Sequence, residues 1–460
     1  MTDAFPDATA LLEGLGAGQL HSVGLVEDAL ARIAAADADI RAFITVDAEG
    51  ARAAALASDA RRVSGKAGPL EGLPFAVKDN IAAEGLPLTD GTAFYRDRIA
   101  AADAESVRRM KAAGAVLIGK LNLHEGALGA TTDNPVWGRC QNPLRPGYTP
   151  GGSSGGSAAA IAAGFVPVSL GTDTMGSVRI PAAYCGLWGL KPTRGAMSRH
   201  GLSHLSWTLD TVGPLARSAR DLRLLTTVLA GPDPRDPESI DLPLRQQGPE
   251  VPSICVFRPA EGTCASDVLK AFDALLRALE SNGVPLRPVA LPDWDPGRLR
   301  RAGLLVSEAE GAHAFSEALA APGPGLSEQF RSLLTYGQTL PAARLVAALA
   351  ALRATRPMLL QAMAGSDALL MPTAPQTAFA HGTPVPANQA DLTALANAAG
   401  VPAVAFPLPF ASGELPSSAQ LVGRPGDDLL LASWADQLVL RGDATHSGKS
   451  VASGSSSARD

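Results

Sequence analysis

No dense run of lysine and arginine occurs in this sequence, and the formal net charge is −6 with a pI near 5.7. Such a chain creates no field that draws in phosphate backbones, so nucleic acid is not expected as a direct ligand. No apolar run approaches the ~18 residues of a membrane span. The opening MTDAFPDATALLEGL carries acidic residues where a secretory leader has a basic segment, and a cytoplasmic location is expected. Cysteine is scarce: Cys140, Cys185, Cys255 and Cys264 form neither a disulfide framework nor a C-x-x-C metal pair and read as small buried hydrophobes. Aromatic residues are sparse at 5%, and no internal repeat is visible. What is abundant is ordinary core material, 46% hydrophobic against 18% charged, which fits a globular enzyme and argues against disorder or a coiled coil.

Along the chain, Val26, Leu30 and Ile33 make one helical stripe after a candidate cap at Ser22. Short apolar runs then alternate with helical text: LPFAVKDN (73–80), AVLIGKL (115–121) and VPVSLG (166–171), with SVRRMKAAG (106–114) and SAAAIAAG (157–164) between them. This alternation predicts α/β crossover units, with functional residues just past the strand ends. From 219 to 364 the pattern turns mostly helical and reads as an insertion or lid over the core. Strand-like text returns at DALLMPTAP (367–375) and VPAVAFPLPF (401–410). The expected domain is 1–440, with 441–460 a polar, flexible tail.

The strongest local signal is Gly151-Gly152-Ser153-Ser154-Gly155-Gly156-Ser157 before a small-residue helix. Glycines in that position let the backbone turn sharply and leave N–H groups free to face a ligand. A phosphate-binding loop needs a lysine where Ser157 stands, which demotes nucleotide binding. A nucleophile elbow, G-x-S-x-G, is satisfied with Ser153 as nucleophile, provided that a downstream acid and histidine complete it. A third chemistry joins Ser153 to Ser177, on a second glycine-bearing loop, and to Lys78, at the end of an apolar strand. Taken singly, a strand-end lysine is usually solvated and a Gly-Ser turn usually only turns.

Taken together, these segments resemble the amidase signature family. The resemblance runs through GLPFAVKDN, GAVLIGKLNLHEGALG (114–129), QNPLRPGYTPGGSSGGSAAAIAAG (141–164), GTDTMGSVRIPAAYCGLWGLKPTRG (171–195), LDTVGPLARS (209–218), DALLMPTAP and QLVGRPGDD (420–428). It implies a large, mixed, mostly parallel twisted central β-sheet covered by helices on both faces. It implies Ser177 as nucleophile, Ser153 as relay after a cis Gly152–Ser153 peptide, and Lys78 as base. Backbone N–H groups of Thr174, Met175, Gly176 and Ser177 would form the oxyanion hole, with Ser154, Asp173 and Arg179 in support. The implied activity is hydrolysis of an amide, or of a carbamate (urethane), through an acyl-enzyme, with no cofactor and no metal. The amidase-like subunit of a glutamine-dependent amidotransferase resembles the same family and is the alternative; the others are the Ser153 hydrolase and a non-catalytic scaffold. A small-molecule substrate is expected, without nucleic acid or membrane, and a homodimer is the default assembly.

The residue types suit that reaction. A lysine is a base only when neutral, so Lys78 should be buried, with its pKa drawn from ~10.4 toward ~7–8, as apolar Phe75, Ala76 and Val77 would ensure. Where the family often has glycine, this chain has Met175, a flexible thioether able to narrow or line an acyl pocket. His124-Glu125 and His200/His204 lack the spacing of a metal site. Trp207 is a candidate pocket residue and Trp188 a core residue.

Overall fold

The computed structural model describes residues 6–411 and 413–443. Thirteen strands are found among them: β1 Phe43–Val46, β2 Pro74–Lys78, β3 Val116–Leu121, β4 Asp133–Asn134, β5 Gly138–Arg139, β6 Val168–Asp173, β7 Trp188–Lys191, β8 Thr211–Ala216, β9 Ile254–Val256, β10 Leu286–Pro288, β11 Ala368–Pro372, β12 Ala403–Pro407 and β13 Ser418–Val422. Apart from the β4–β5 ribbon they form one eleven-stranded mixed sheet, ordered β1-β3-β2-β6-β8-β7-β12-β13-β11-β9-β10. The runs β3-β2-β6 and β11-β9-β10 are parallel. Between them, β6-β8-β7-β12-β13-β11 is antiparallel.

Alternate residues of a strand point to opposite faces, and here both faces are dry. On β11, Ala368 and Leu370 enter one core while Leu369 and Met371 enter another. The first core lies under helices Ser22–Ile40, Ala219–Leu229 and Asp428–Asp443. The second lies under Pro296–Ala314 and Ala342–Ala362, through Leu299, Ala302, Val306, Leu352 and Leu359. Helix Glu328–Gln338 is clamped onto Pro296–Ala314 by Phe315, Phe330 and Leu334.

Two local readings are corrected. Ser22 is not a cap: it lies inside the helix with its Oγ donating to Gly72 O at 3.2 Å. The orphan N–H groups of Ser22 and Val23 are instead accepted by the Asp59 carboxylate, at 2.8 and 3.1 Å. That partner is distant in sequence and invisible to a local cap rule. The helical stretch 219–364 also supplies strands β9 and β10 to the sheet edge, so it is not helical covering alone. Each is three residues long, too short to show a strand period. At the C-terminus the last helix runs on to Asp443; the rest of the expected tail, 444–460, lies outside the described residues.

The Gly155–Ala162 helix begins directly after its N-cap Ser154, two residues past Ser153, and is pressed against the end of β3. A Cβ on Gly156 would stand 2.4 Å from Asn122 O and 2.7 Å from Ala42 O, both backbone atoms that cannot swing away. Gly156→Ala is therefore expected to destabilise the protein by about 1–3 kcal/mol, read as a lowered midpoint in denaturant melts; an unchanged midpoint would show that the helix can recede.

Candidate active site

Strands β2 and β6 run parallel in adjacent positions, with Val77 opposite Leu170. Their carboxyl ends therefore emerge side by side and bring Lys78 next to Thr172. Lys78 is fully buried, between Phe75, Ala76 and Val77 on its own strand and the loops above it. Its Nζ donates to Ser153 Oγ and to Thr172 Oγ1, both at 2.7 Å. Asn80 Nδ2 adds a longer bond of 3.3 Å to Thr172 Oγ1. Burial strips water from the ammonium and lowers its pKa to about 7, against the opposing pull of Asp210, Asp173 and Asp90. A depressed lysine alone does not mark a site. Lys191 is also lowered to about 7, by burial first and then by Arg179, yet its Nζ donates to Pro192 O and meets no hydroxyl among the described residues.

The Gly151–Ser154 loop is held by hydrogen bonds from both backbone and side chains. The Gly152–Ser153 peptide is cis, as the family resemblance implies. Gly151 O accepts from Thr132 Oγ1 at 2.8 Å, and Ser153 O accepts from His124 N at 3.1 Å. Ser154 Oγ donates to Thr172 O and accepts from Thr172 N, at 3.1 and 3.2 Å, tying the loop to the end of β6. Ser154 N donates to Ser177 O at 3.2 Å. The two serine-bearing loops thus abut, and Ser153 is fully buried with Lys78 as its side-chain partner. The arrangement differs from a nucleophile elbow, which exposes its serine at a strand-to-helix turn.

The second loop, 173–179, is organised by a buried ion pair. Asp173 Oδ2 and Oδ1 accept from Arg179 Nε and Nη2 at 3.0 and 3.1 Å, and neither side chain is exposed. Arg179 also donates to Gln420 Oε1 and Asn397 Oδ1, and Asn397 Nδ2 donates to Asp173 Oδ1. Burial pushes the Asp173 carboxyl up, but the charge and hydrogen bonds of Arg179 outweigh it and hold the pKa at about 2. The same carboxylate accepts from Gly176 N at 2.6 Å and Val178 N at 3.2 Å. This corrects one expectation: the single proton of the Gly176 amide points at Asp173, so Gly176 is removed from the oxyanion-donor set. The N–H groups of Thr174, Met175 and Ser177 have no hydrogen-bond partner among the described residues. Gly176 is required for shape, since its φ is +131° and a Cβ there would meet Thr393 Oγ1 at 2.2 Å.

Ser177 opens onto a cavity of about 330 Å³, also lined by Gly152, Thr174, Met175, Ile180, Leu205 and Leu304. Sequence reading missed most of this wall. Arg300, Leu304 and Ser307 form one stripe of the Pro296–Ala314 helix, and Val385–Ala390 close the other side; neither segment carries a motif. Thr172 and Asn397 were missed for the same reason, being ordinary residues given a role by the fold. Trp207 does not line the cavity; it is 41% exposed and packs edge-on against His313. Trp188 is buried against Phe406. His124 lines a second cavity of about 240 Å³ with Glu125 and Asp133. All four cysteines are buried and free. Among the described residues there is no group of three or more His, Cys, Asp or Glu able to hold a metal ion, and no helix long and apolar enough to cross a membrane.

The family model described as Amidase, a family of hydrolases acting on C–N bonds, matches residues 24–431. The chain belongs to that family. It is similar to a glutamyl-tRNA(Gln) amidotransferase subunit of Roseiflexus sp. (strain RS-1), with 37% identity covering 92% of this chain and 94% of the relative. Among solved structures it resembles a component of a vestigial protein complex bearing on the evolutionary origins of an s-triazine catabolic enzyme. There the TM-score is 0.88 and the identity 34%, covering 95% of this chain and 98% of that one. A structure described as an amidase gives 0.85 and 36%, covering 94% and 100%.

Proposed function

We propose that the protein is an amidohydrolase in which Ser177 is the nucleophile, Ser153 the relay and Lys78 the base. The observation that carries this reading is the buried Lys78 amine, 2.7 Å from Ser153 Oγ and lowered to about 7, behind a loop whose Ser177 faces the cavity. Neutral Lys78 takes the Ser153 proton while Ser153 takes the Ser177 proton, and Ser177 Oγ bonds to the carbonyl carbon. The N–H groups of Thr174, Met175 and Ser177 stabilise the oxyanion. As it collapses, the C–N bond breaks and the relay returns the proton to the leaving nitrogen, giving the free amine and an acyl-Ser177. Water, deprotonated by the same relay, then releases the acid and restores Ser177. A carbamate makes the same demands of its nitrogen. The reaction needs no cofactor and fits a cytoplasmic enzyme, for which a homodimer is the default assembly.

The test is labelling by a fluorophosphonate, mapped by mass spectrometry, in wild type and in Lys78→Ala, Ser153→Ala and Ser177→Ala. An adduct on Ser177 that requires Lys78 and Ser153 is expected. An adduct on Ser153 that survives Lys78→Ala would reject the mechanism. Because only neutral Lys78 accepts a proton, the labelling rate and kcat/KM should rise with pH through about 7 and then level off; a rate indifferent to pH across that value would remove Lys78 as the base.

The amidotransferase relatives support a second reading, in which the site is a glutaminase that passes ammonia to a partner protein. Glutaminase activity together with a co-purifying partner distinguishes it.

A further inference from the structure

The wall of the Ser177 cavity is mainly aliphatic: Met175, Ile180, Leu205, Leu304, Val385 and Ala390 all face it. The single charged side chain in that wall, among the described residues, is Arg300. Its Nε donates to Asp391 at 2.6 Å, and the two side chains are only 16% and 19% exposed. Arg300 is therefore already neutralised, and no free carboxylate stands in that wall among the described residues. A zwitterionic acyl group such as that of glutamine needs an acidic partner for its ammonium and an unpaired cation for its carboxylate. Desolvated without them, each charge is strongly disfavoured.

One side chain also limits how deep an acyl chain can reach. Met175 projects from the loop beside the nucleophile toward the Pro296–Ala314 helix, where it packs on the second core. It meets that helix at Gly303: a Cβ there would stand 2.4 Å from Met175 Sδ. The helix thus lacks a side chain where the thioether sits, while Leu304 and Ser307 next to it line the cavity.

We propose that the cavity accepts an uncharged, apolar acyl group and that Met175, seated on Gly303, sets the chain length it accepts. The proposal rests on Ser177 being the nucleophile. Its test uses alkyl fluorophosphonates of increasing chain length, because their reaction requires no knowledge of the natural leaving group. Ser177 Oγ bonds to phosphorus as the P–F bond breaks, fluoride departs, and the serine proton passes to Ser153 and Lys78.

In wild type, a hexyl probe should label Ser177 at least about tenfold faster than a methyl probe, in keeping with the discrimination that apolar pockets achieve. Gly303→Ala displaces the thioether into the cavity and should erase most of that preference. Removing the thioether as well, in Met175→Ala/Gly303→Ala, should restore it. Should Gly303→Ala fail to fold, Met175→Ala alone reads the same determinant and should extend the preference to octyl and longer probes. Hexanamide should also be hydrolysed with kcat/KM at least about a hundredfold above glutamine. A flat chain-length profile in wild type, a Met175→Ala or foldable Gly303→Ala profile identical to wild type, or a preference for glutamine would each overturn the proposal. Failure of every probe to label wild-type Ser177 is a different result: it removes the nucleophile itself, and the proposal with it.

Discussion

A Lys78→Ala enzyme is expected to lose about four orders of magnitude in kcat while remaining folded, since removing one member of a catalytic unit typically leaves only the residual rate from binding and oxyanion donors. The reason lies in what surrounds the amine. Its partners are two hydroxyls, neither of which is basic enough at neutral pH to draw a proton from serine. The loops on either side are held by main-chain bonds that do not involve the lysine, such as His124 N to Ser153 O and Ser154 N to Ser177 O. The loss should therefore be chemical and not architectural. Lysine in this setting is also thermodynamically unwelcome: it titrates near 7 when folded and at 10.5 when free. Between those values the unfolded chain binds more protons, so stability rises with pH there; replacing Lys78 should flatten that rise. Non-additivity is the sharper check. Combining Lys78→Ala with Ser177→Ala should leave kcat no lower than Ser177→Ala alone, because both belong to one relay. A Lys78→Ala enzyme with near-normal kcat would dismiss the lysine from the chemistry.

Asp173→Ala is the second large effect, and it should strike stability and activity together. Removing one partner of a fully buried ion pair leaves the other charge uncompensated, at a cost of about 3–5 kcal/mol. Arg179 would keep its bonds to Gln420 and Asn397 but lose the negative charge bonded to it. The carboxylate also anchors Gly176 N and Val178 N. Without it, the 173–178 turn that aims the N–H groups of Thr174, Met175 and Ser177 loses its pin. Loss of even one well-placed oxyanion donor lowers kcat by about 10²–10³. The pH dependence follows from the depressed carboxyl. Its folded pKa is about 2 against an ordinary 3.8, so its contribution is complete above 3.8 and is lost as pH falls through 2. The stability gap between wild type and Asp173→Ala should therefore narrow in that window. Denaturant melts at neutral pH and in acid measure it, and a gap that stays constant would refute the assignment.

The arrangement of strand and helix text along the core was legible in advance. LPFAVKDN, AVLIGKL and VPVSLG became β2, β3 and β6, because a strand buried on both faces is apolar at most of its positions and so announces itself. The antiparallel middle of the sheet was not legible. Strand direction there is chosen by long-range pairing, as when β8 falls between β6 and β7, and no local period encodes it. Strands β9 and β10, each three residues long, lay below any period that could be read.

At the site, the sequence by itself determined the special residues, because each is a type whose chemistry or backbone freedom is rare. Lysine at the end of an apolar strand, serine in a glycine-rich loop and an aspartate six positions from an arginine all leave marks. Tertiary structure alone decided which amide hydrogens remain free: Gly176 reads like its neighbours, yet its N–H turns toward Asp173. It alone decided the cavity at Ser177, where a helical stripe from Arg300 to Ser307, the Val385–Ala390 segment and the Met175 thioether meet. Those are common side chains whose only distinction is position, and position is set by packing among elements far apart in the chain.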